Sequence, residues 1–287
     1  MAENQVRNGV LPQSVIRKAI MLTRRKFILK IFECVLFCAI AMMGLEREAR
    51  ARSIFLSVPS GSGEGACVSG NGANCVLLIH SNTTDGSTTF VDSSQGGSDH
   101  TADITAVGNV HHETDQQKFG TSSIETDAGP VGYLSIADSA DWDFGTGDFS
   151  IEFWFRFKAS VQNKGLVGKY AGEANTWGLT YSTNLLYWYY GNGVSWSKAW
   201  TPVADTWYHI CIARASATLR WFIDGTQIGT SETDNTNYDT ATALVVGSYD
   251  PALSALVQGY FDEIAIFKGS ANGRTANFTP PTGPYCD

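Results

Sequence analysis

Three acidic triplets of identical sequence are the residues of this chain whose spacing most directly suggests chemistry. Each triplet reads Glu-Thr-Asp, and the three begin at Glu113, Glu125 and Glu232. Residues two positions apart lie on the same face of a β-strand, so each triplet can place two carboxyl groups side by side. A retaining glycoside hydrolase needs two such groups about 5 to 5.5 Å apart across the bond that it cleaves. The triplets therefore make glycoside hydrolysis one function to be considered.

Aromatic side chains are concentrated between Trp177 and Trp200. Exposed rings bind the apolar faces of sugars, while nearby polar groups hold the sugar hydroxyls. Asn192 lies between two glycines and Trp196 between two serines, a pattern that predicts a loop. We therefore predict a ligand site formed by Tyr190, Asn192, Trp196 and Trp200. The alternative is that these rings pack in the protein core.

The five histidines show no catalytic spacing. They match neither the zinc-binding motif of metallopeptidases nor the nucleophile elbow of hydrolases. His111 and His112, which precede Glu113, are interpreted as an exposed turn. The histidines therefore favour binding over catalysis.

The elements that must position these residues are β-strands. In Phe149–Phe157 every second residue is Phe or Ile, and a period of two over nine residues indicates a strand with one face in a large core. Asp224-Gly225 between two apolar runs predicts a tight hairpin turn, since both residues tolerate positive φ angles. No segment shows a sustained helical period. The sequence thus predicts an all-β fold, a two-sheet antiparallel jelly-roll sandwich.

Three segments in this order resemble a laminin G-like domain of the concanavalin A-like lectin and glucanase superfamily. They are Gly132–Lys158, Thr206–Gly229 and Gly259–Gly269, and the resemblance covers roughly Val76 to Pro284. It implies a concanavalin A-like jelly roll that acts as a non-catalytic, carbohydrate-binding or adhesive module at the surface or outside the cell. Two alternatives stay open: a structural or adhesion module of a phage tail or envelope assembly that binds protein partners, and a glycoside hydrolase.

The same resemblance bears on catalysis and on calcium. Laminarinase-type relatives carry Glu-x-Asp-x-x-Glu, whereas the three triplets here lack the last Glu, which leaves Asp148 and Glu152 as a local pair. The family often holds a calcium ion on the sandwich, and the matching positions are Asp92, Asp262 and Glu263. We expect one structural calcium there and no other cofactor. The alternative is that these carboxylates accept hydrogen bonds from backbone amides.

The first 51 residues differ in character from the rest. A basic run that contains Arg24, Arg25 and Lys26 precedes an apolar segment from Cys34 to Leu45, which is followed by Ala-Arg-Ala. This order is typical of a secretory signal, and the paired arginines resemble a twin-arginine signal. The apolar segment is shorter than the roughly 20 residues that a membrane helix needs. We predict an exported protein, periplasmic, secreted or at the cell surface.

Removal of the signal would make the chain strongly acidic. Residues 52–287 contain 11 of the 20 Lys and Arg residues and 24 of the 28 Asp and Glu residues, a formal net charge of −13. Such a charge repels nucleic acid and anionic membranes. The expected partners are therefore a glycan, a cell-surface ligand or a protein, with no membrane span in the mature chain.

The cysteines help to divide the chain. Cys67 and Cys75 flank a loop rich in Gly and Asn, and we predict a disulfide that closes it, since exported proteins retain disulfides. Cys286 can reach either cysteine if the first and last strands are neighbours. Cys211 is predicted to be a buried free thiol. The predicted boundaries are a signal over residues 1–51, a Gly/Ser-rich linker over 52–75 and the sandwich over 76–287.

Overall fold

The computed structural model describes residues 70, 72–128, 131–158, 161, 164–250 and 255–287. All of them belong to one compact unit, Gly63–Asp287. The predicted signal segment and most of the predicted linker lie outside the described residues. Within the described ranges, no helix has the length and apolar character needed to cross a membrane.

Strands account for nearly all regular structure in the described residues, as the sequence predicts. Two short 3-10 helices are present at Thr101–Asp103 and Ala140–Trp142. The strands are β1 Cys75–Ile79, β2 Ile104–Gly108, β3 His111–Glu113, β4 Ser123–Ala128, β5 Val131–Ile136, β6 Phe149–Phe157, β7 Lys164–Lys169, β8 Trp177–Ser182, β9 Leu185–Tyr190, β10 Val194–Ala199, β11 Trp207–Ala215, β12 Thr218–Ile223, β13 Thr226–Gln227, β14 Glu232–Thr233, β15 Leu244–Val246 and β16 Gly259–Lys268.

The strands pair antiparallel and form two layers that meet at β4. In sheet I, β16 lies between β6 on one side and β1 and β4 on the other, and β11 and β12 continue the sheet beyond β6. Sheet II has the order β10-β9-β8-β7-β15-β5, with β2 also paired to β5. The first part of β4 pairs with β16 and its last two residues pair with β5. The two sheets therefore join into the curled sandwich expected of a jelly roll.

The core lies between the two sheets and is built by strand alternation. The five odd-numbered residues of β6 are at most 1% exposed and face sheet II, as predicted. Leu179 on β8 and Leu186 and Trp188 on β9 belong to the same core. Each fully buried side chain of this kind contributes about 1.5 to 3 kcal/mol relative to exposure. The alternation thus fixes which side chains of β6, β8 and β9 point outward.

The predicted hairpin turn is confirmed. Asp224 and Gly225 adopt φ angles of 49° and 72°, and Ile223 pairs directly with Thr226. Two consecutive positive φ angles define the tight turn whose twist matches that of antiparallel strands. The turn also binds the C-terminal segment, because the Phe278 amide donates to the Gly225 carbonyl at 2.9 Å.

The outer face of sheet I is covered by residues 269–287, which we call the C-terminal strap. The Phe278 ring lies 5.3 Å from Phe222 and 5.7 Å from His209. The Tyr285 ring lies 6.3 Å from Phe267. His209 is buried, and burial lowers its pKa to about 4. It therefore packs as a neutral ring beneath the strap.

Candidate functional site

Four tyrosines form a cluster on the outer face of sheet II. We call Tyr170, Tyr187, Tyr189 and Tyr249 the tyrosine cluster. Neighbouring ring centroids lie 5.3 Å apart for Tyr170–Tyr249, 5.6 Å for Tyr189–Tyr249, 5.7 Å for Tyr170–Tyr189 and 5.9 Å for Tyr187–Tyr189. All four residues are half-buried. Part of each ring therefore faces solvent on a surface of four adjacent rings.

Strand alternation on β9 produces the first half of the cluster. Leu186 and Trp188 are fully buried in the core, so Tyr187 and Tyr189 point to the opposite face. The sequence of β9, Leu-Leu-Tyr-Trp-Tyr-Tyr, places large side chains on both faces of the strand. The structure shows that the outer face carries phenol rings.

Glycines on β7 and β8 allow Tyr249 to lie flat against the sheet. A Cβ atom on Gly165 would lie 2.6 Å from Cδ1 of Tyr249, and one on Gly178 would lie 2.9 Å from its Cδ2. Real Cβ atoms do not approach a ring so closely, so any larger residue would push the ring away. The two glycines therefore set the position of Tyr249 between Tyr170 and Tyr189.

The strands under the cluster present no charged side chain on this face. Ser195 and Ser197 on β10 lie directly opposite Tyr189 and Tyr187 in the strand register. Thr180 on β8 lies opposite Tyr187 on its other side, and its buried hydroxyl has no hydrogen-bond partner among the described residues. The outward positions of β8–β10 are Gly178, Thr180, Ser182, Leu185, Tyr187, Tyr189, Ser195, Ser197 and Ala199. The surface is therefore aromatic and hydroxyl-bearing.

The Tyr189 phenol stays neutral near neutral pH. Burial, followed by the neighbouring hydroxyls of Tyr187 and Tyr170, raises the pKa of Tyr189 above its ordinary value. A neutral phenol both donates and accepts a hydrogen bond. The cluster can thus stack on an apolar ligand face and bind hydroxyl groups beside it.

The predicted ligand site at Tyr190, Asn192, Trp196 and Trp200 is only partly exposed. Trp200 is 8% exposed and packs in the core, 5.5 Å from Tyr181 and 5.3 Å from Tyr208. Its predicted exposure is wrong, and the alternative of a packed ring holds.

Trp196 lies in β10 rather than in the predicted loop. Its ring stacks on Tyr190 at 3.9 Å and contacts Trp221 edge-on at 6.5 Å. Trp196 pairs with Trp188, which places both rings on the core side of sheet II. Asn192 is exposed in the turn before β10. The serines around Trp196, which suggested a loop, are the outward half of a strand.

The three predicted calcium ligands each have protein partners. Asp92 accepts hydrogen bonds from the amides of Leu78, Ser94 and His100 at 2.9 to 3.1 Å. Asp262 accepts from the amides of Lys118 and Phe119 at 2.9 and 3.0 Å. These contacts favour the alternative role, in which the carboxylates bind backbone amides.

Glu263 completes this predicted set at a bulge in β16, where its φ angle is 52°. One of its oxygens lies 2.6 Å from Nδ1 of His80, and the other accepts from the Tyr285 amide at 2.7 Å. Among the described residues, Asp92, Asp262 and Glu263 are not brought together as a group of ligand atoms within 4.8 Å. Calcium at these positions stays a prediction.

The carboxylates first considered for hydrolysis are engaged elsewhere. Glu152 is buried and binds Arg274 and Asn272, whereas Asp148 accepts from the Ser216 amide at 2.8 Å. Glu125 pairs with Lys158. Asp234, also buried, pairs with Arg214 at 3.1 Å and accepts from the Tyr238 hydroxyl. Each has a structural partner that neutralises it or fixes its orientation.

The cysteines depart from the predicted pattern. Cys75 is a buried free thiol, so the predicted disulfide between Cys67 and Cys75 is wrong. Burial raises the pKa of the Cys75 thiol to about 12, which keeps it protonated. Cys211 is also free and buried, and Cys286 is disulfide-bonded. Cys67 lies outside the described residues.

Sequence comparison agrees with this architecture. A family model described as the concanavalin A-like lectin/glucanases superfamily matches residues 127–274. The chain belongs to the concanavalin A-like lectin/glucanase superfamily. The match begins in β4 and ends in the C-terminal strap, so it includes β5–β16 and the tyrosine cluster but not β1–β3. A search of curated proteins finds no match to the chain.

Solved structures similar to this chain include binding domains of botulinum neurotoxins and of a mosquitocidal protein. The binding domain of Paraclostridial Mosquitocidal Protein 1 matches with a TM-score of 0.53 and 14% identity, covering 68% of this chain and 49% of that chain. Botulinum neurotoxin type C, whose cell entry depends on two ganglioside molecules, matches with a TM-score of 0.52 and 13% identity, covering 69% and 49%.

A third solved structure is the binding domain of botulinum neurotoxin DC in complex with rat synaptotagmin II. It matches with a TM-score of 0.51 and 11% identity, covering 69% of this chain and 49% of that chain. The chain thus spans about half the length of these solved chains. At such identities the likeness shows the fold alone and nothing about the ligand.

Proposed function

We propose that the chain is an exported, non-catalytic binding module and that the tyrosine cluster holds a neutral carbohydrate. The observation that carries the proposal is the set of four adjacent rings on a face whose strands present only apolar and hydroxyl side chains. Two of the similar structures concern ligands: botulinum neurotoxin type C interacts with two ganglioside molecules, and the binding domain of botulinum neurotoxin DC is in complex with rat synaptotagmin II. Both are compatible with a binding role for this chain.

The chemistry of the face favours sugars without charge. Pyranose rings stack their C–H faces on aromatic rings, and Ser195 and Ser197 lie beside Tyr189 and Tyr187 to bind sugar hydroxyls. The outward positions of β8–β10 offer no Lys or Arg to pair with an acidic sugar. The formal charge of −13 on residues 52–287 also repels anionic ligands.

The partners of the acidic residues support a module without hydrolytic activity. A glycoside hydrolase needs one carboxyl group to protonate the leaving oxygen and a second to act as nucleophile or base. Glu152, Asp234 and Glu125 are instead neutralised by Arg274, Arg214 and Lys158. These ion pairs leave them poorly suited to proton transfer.

Export to an oxidising compartment forms part of the proposal. Cys286 is disulfide-bonded, and Cys75 and Cys211 are free. Disulfides persist mainly in secreted and periplasmic proteins.

We expect Tyr189→Ala to weaken glycan binding at least tenfold, about 1.4 kcal/mol. Tyr189 contacts all three other rings of the tyrosine cluster. Tyrosines at the centre of a contact surface commonly carry most of the binding energy. The measurement is a binding screen of the purified chain against neutral and sialylated oligosaccharides, followed by calorimetry on the strongest neutral ligand.

Tyr133→Ala is the matched control. Tyr133 is a half-buried tyrosine on the outer face of β5, four strands from β9 and so about 19 Å away. It should bind as the parent does. Binding of acidic sugars alone, or equal loss in both variants, would contradict the proposed site. If the purified chain binds a protein partner and no oligosaccharide, the adhesion function is favoured instead.

A further inference from the structure

A second group of chemically competent side chains lies away from the tyrosine cluster, on sheet I. Among the described residues, Asp85, His111 and Glu113 bring their ligand atoms within 4.8 Å of one another. Nε2 of His111 lies 3.9 Å from Oε2 of Glu113. The side chains of His111 and Glu113 are 21% and 19% exposed, and Asp85 is exposed. The group is therefore accessible to an ion from solvent.

The backbone, rather than mutual attraction of the side chains, brings the three residues together. His111 and Glu113 are two positions apart on β3 and share a face, while His112 between them is buried on the other face. The Gly86 amide donates to the His112 carbonyl at 2.9 Å, and the His112 amide donates to the Ser87 carbonyl at 2.8 Å. These two bonds fix the loop that carries Asp85 alongside β3.

The hydrogen bonds around His111 and Glu113 leave one ligand atom of each residue available to an ion. Nδ1 of His111 lies 2.8 Å from the Asn109 carbonyl oxygen and donates to it, so Nε2 is the ring atom that can bind a metal. Oε1 of Glu113 accepts from the Asp115 amide at 2.8 Å, so Oε2 is its available oxygen. Nε2 and Oε2 lie 3.9 Å apart, close enough for both to bind one cation.

We infer that Asp85, His111 and Glu113 form a site for Zn²⁺. Imidazole is a ligand of zinc and similar transition ions, whereas calcium and magnesium take oxygen ligands. The bond from Nδ1 to a backbone carbonyl is the outer contact that orients a zinc-binding histidine. Ligands of a tetrahedral zinc ion lie about 3.4 Å apart. The ligand atoms of His111 and Glu113 lie 3.9 Å apart and those of all three residues lie within 4.8 Å of one another, so side-chain rotations at this accessible site can bring them to that spacing.

Three protein ligands leave one coordination position open for water or for a group of a bound partner. The ion would also tie the loop of Asp85 to β3. The sequence predicts an exposed turn at His111 and His112, whereas both residues lie in β3. The inference does not depend on the proposed glycan site, which lies on sheet II.

The test is calorimetric titration of the untagged, chelator-treated chain with Zn²⁺. We expect one zinc ion per chain, and His111→Gln and Glu113→Gln should each weaken binding at least tenfold. Asp115→Asn is the control, because Asp115 is a neighbouring acidic residue outside the group, and it should bind zinc like the parent. An excess of Ca²⁺ or Mg²⁺ should not displace the zinc.

Two results would overturn the inference. One is the absence of zinc binding by the parent, and the other is equal zinc affinity in the parent and in His111→Gln, which would place the ion elsewhere. Thermal melting of the variants in chelator serves as a check of folding. Because the three side chains lie at the surface, the melting temperatures should match that of the parent.

Discussion

Replacing Arg274 with alanine is expected to lower the free energy of unfolding by about 3 to 5 kcal/mol. Glu152 is fully buried on the outer face of sheet I, and the guanidinium of Arg274 donates to one of its oxygens at 3.0 and 3.1 Å. Removal of the arginine leaves a buried carboxylate with Asn272 as its closest donor, at 2.7 Å. A buried charge that loses its partner is far more costly than a surface pair that is broken.

Urea denaturation of the parent and of Arg274→Ala measures this loss of unfolding free energy. Arg220→Ala is the control, since Arg220 is half-buried and donates to the Thr218 carbonyl at 3.3 Å. The double variant Glu152→Met/Arg274→Met should recover most of the lost stability, because apolar residues of similar volume replace buried ion pairs at little cost. Equal stability of Arg274→Ala and Arg220→Ala would show that the strap does not neutralise Glu152.

The Arg274 pair also explains why the candidate site lies on sheet II. Arg274, Phe278 and Tyr285 hold the C-terminal strap over the outer face of sheet I through an ion pair and ring contacts. A ligand that approached that face would first have to displace the strap. The tyrosine cluster belongs to the other broad face of the sandwich, where its rings are partly exposed.

The fold could be predicted because its signal is local. The alternation in Phe149–Phe157 and the Asp224-Gly225 turn each depend on neighbours within a few residues, and both are confirmed. Trp200 was placed wrongly for a related reason. Serines alternate with Trp196 and Lys198 in β10, so a strand with a polar outer face was interpreted as a loop.

The site could not be predicted, because its members come from distant segments. Tyr170, Tyr189 and Tyr249 meet only after β7, β9 and the segment after β15 have assembled, and Tyr249 reaches them because glycines lie beneath its ring. No spacing in the sequence links these residues. For Asp85 and His111 likewise, the link is a pair of backbone hydrogen bonds between a loop and β3.

We expect the Asp262→Asn variant to become steadily more stable than the parent as pH rises from about 5 to 7.5. Burial, opposed by hydrogen bonds from the Phe119 and Lys118 amides, raises the pKa of Asp262 to about 8. In the unfolded chain the pKa of an aspartate is about 3.9. Between these values the folded protein keeps a proton that the unfolded chain has released.

The parent therefore loses stability from this group as pH rises, by about 1.4 kcal/mol per pH unit, until the folded carboxyl ionises near pH 8. Asparagine can accept the same two amide bonds and does not titrate, so the variant lacks this slope. Urea denaturation at pH 4.5, 6, 7 and 8 measures the difference in the free energy of unfolding, in which the titration of His80 and His209 largely cancels. Among these pH values the difference should be smallest at pH 4.5, where the folded carboxyl is protonated and the same carboxyl is already ionised in about four fifths of the unfolded chains. A difference that stays constant across the range would mean that Asp262 is ionised in the folded protein, as a cation ligand at that position would require.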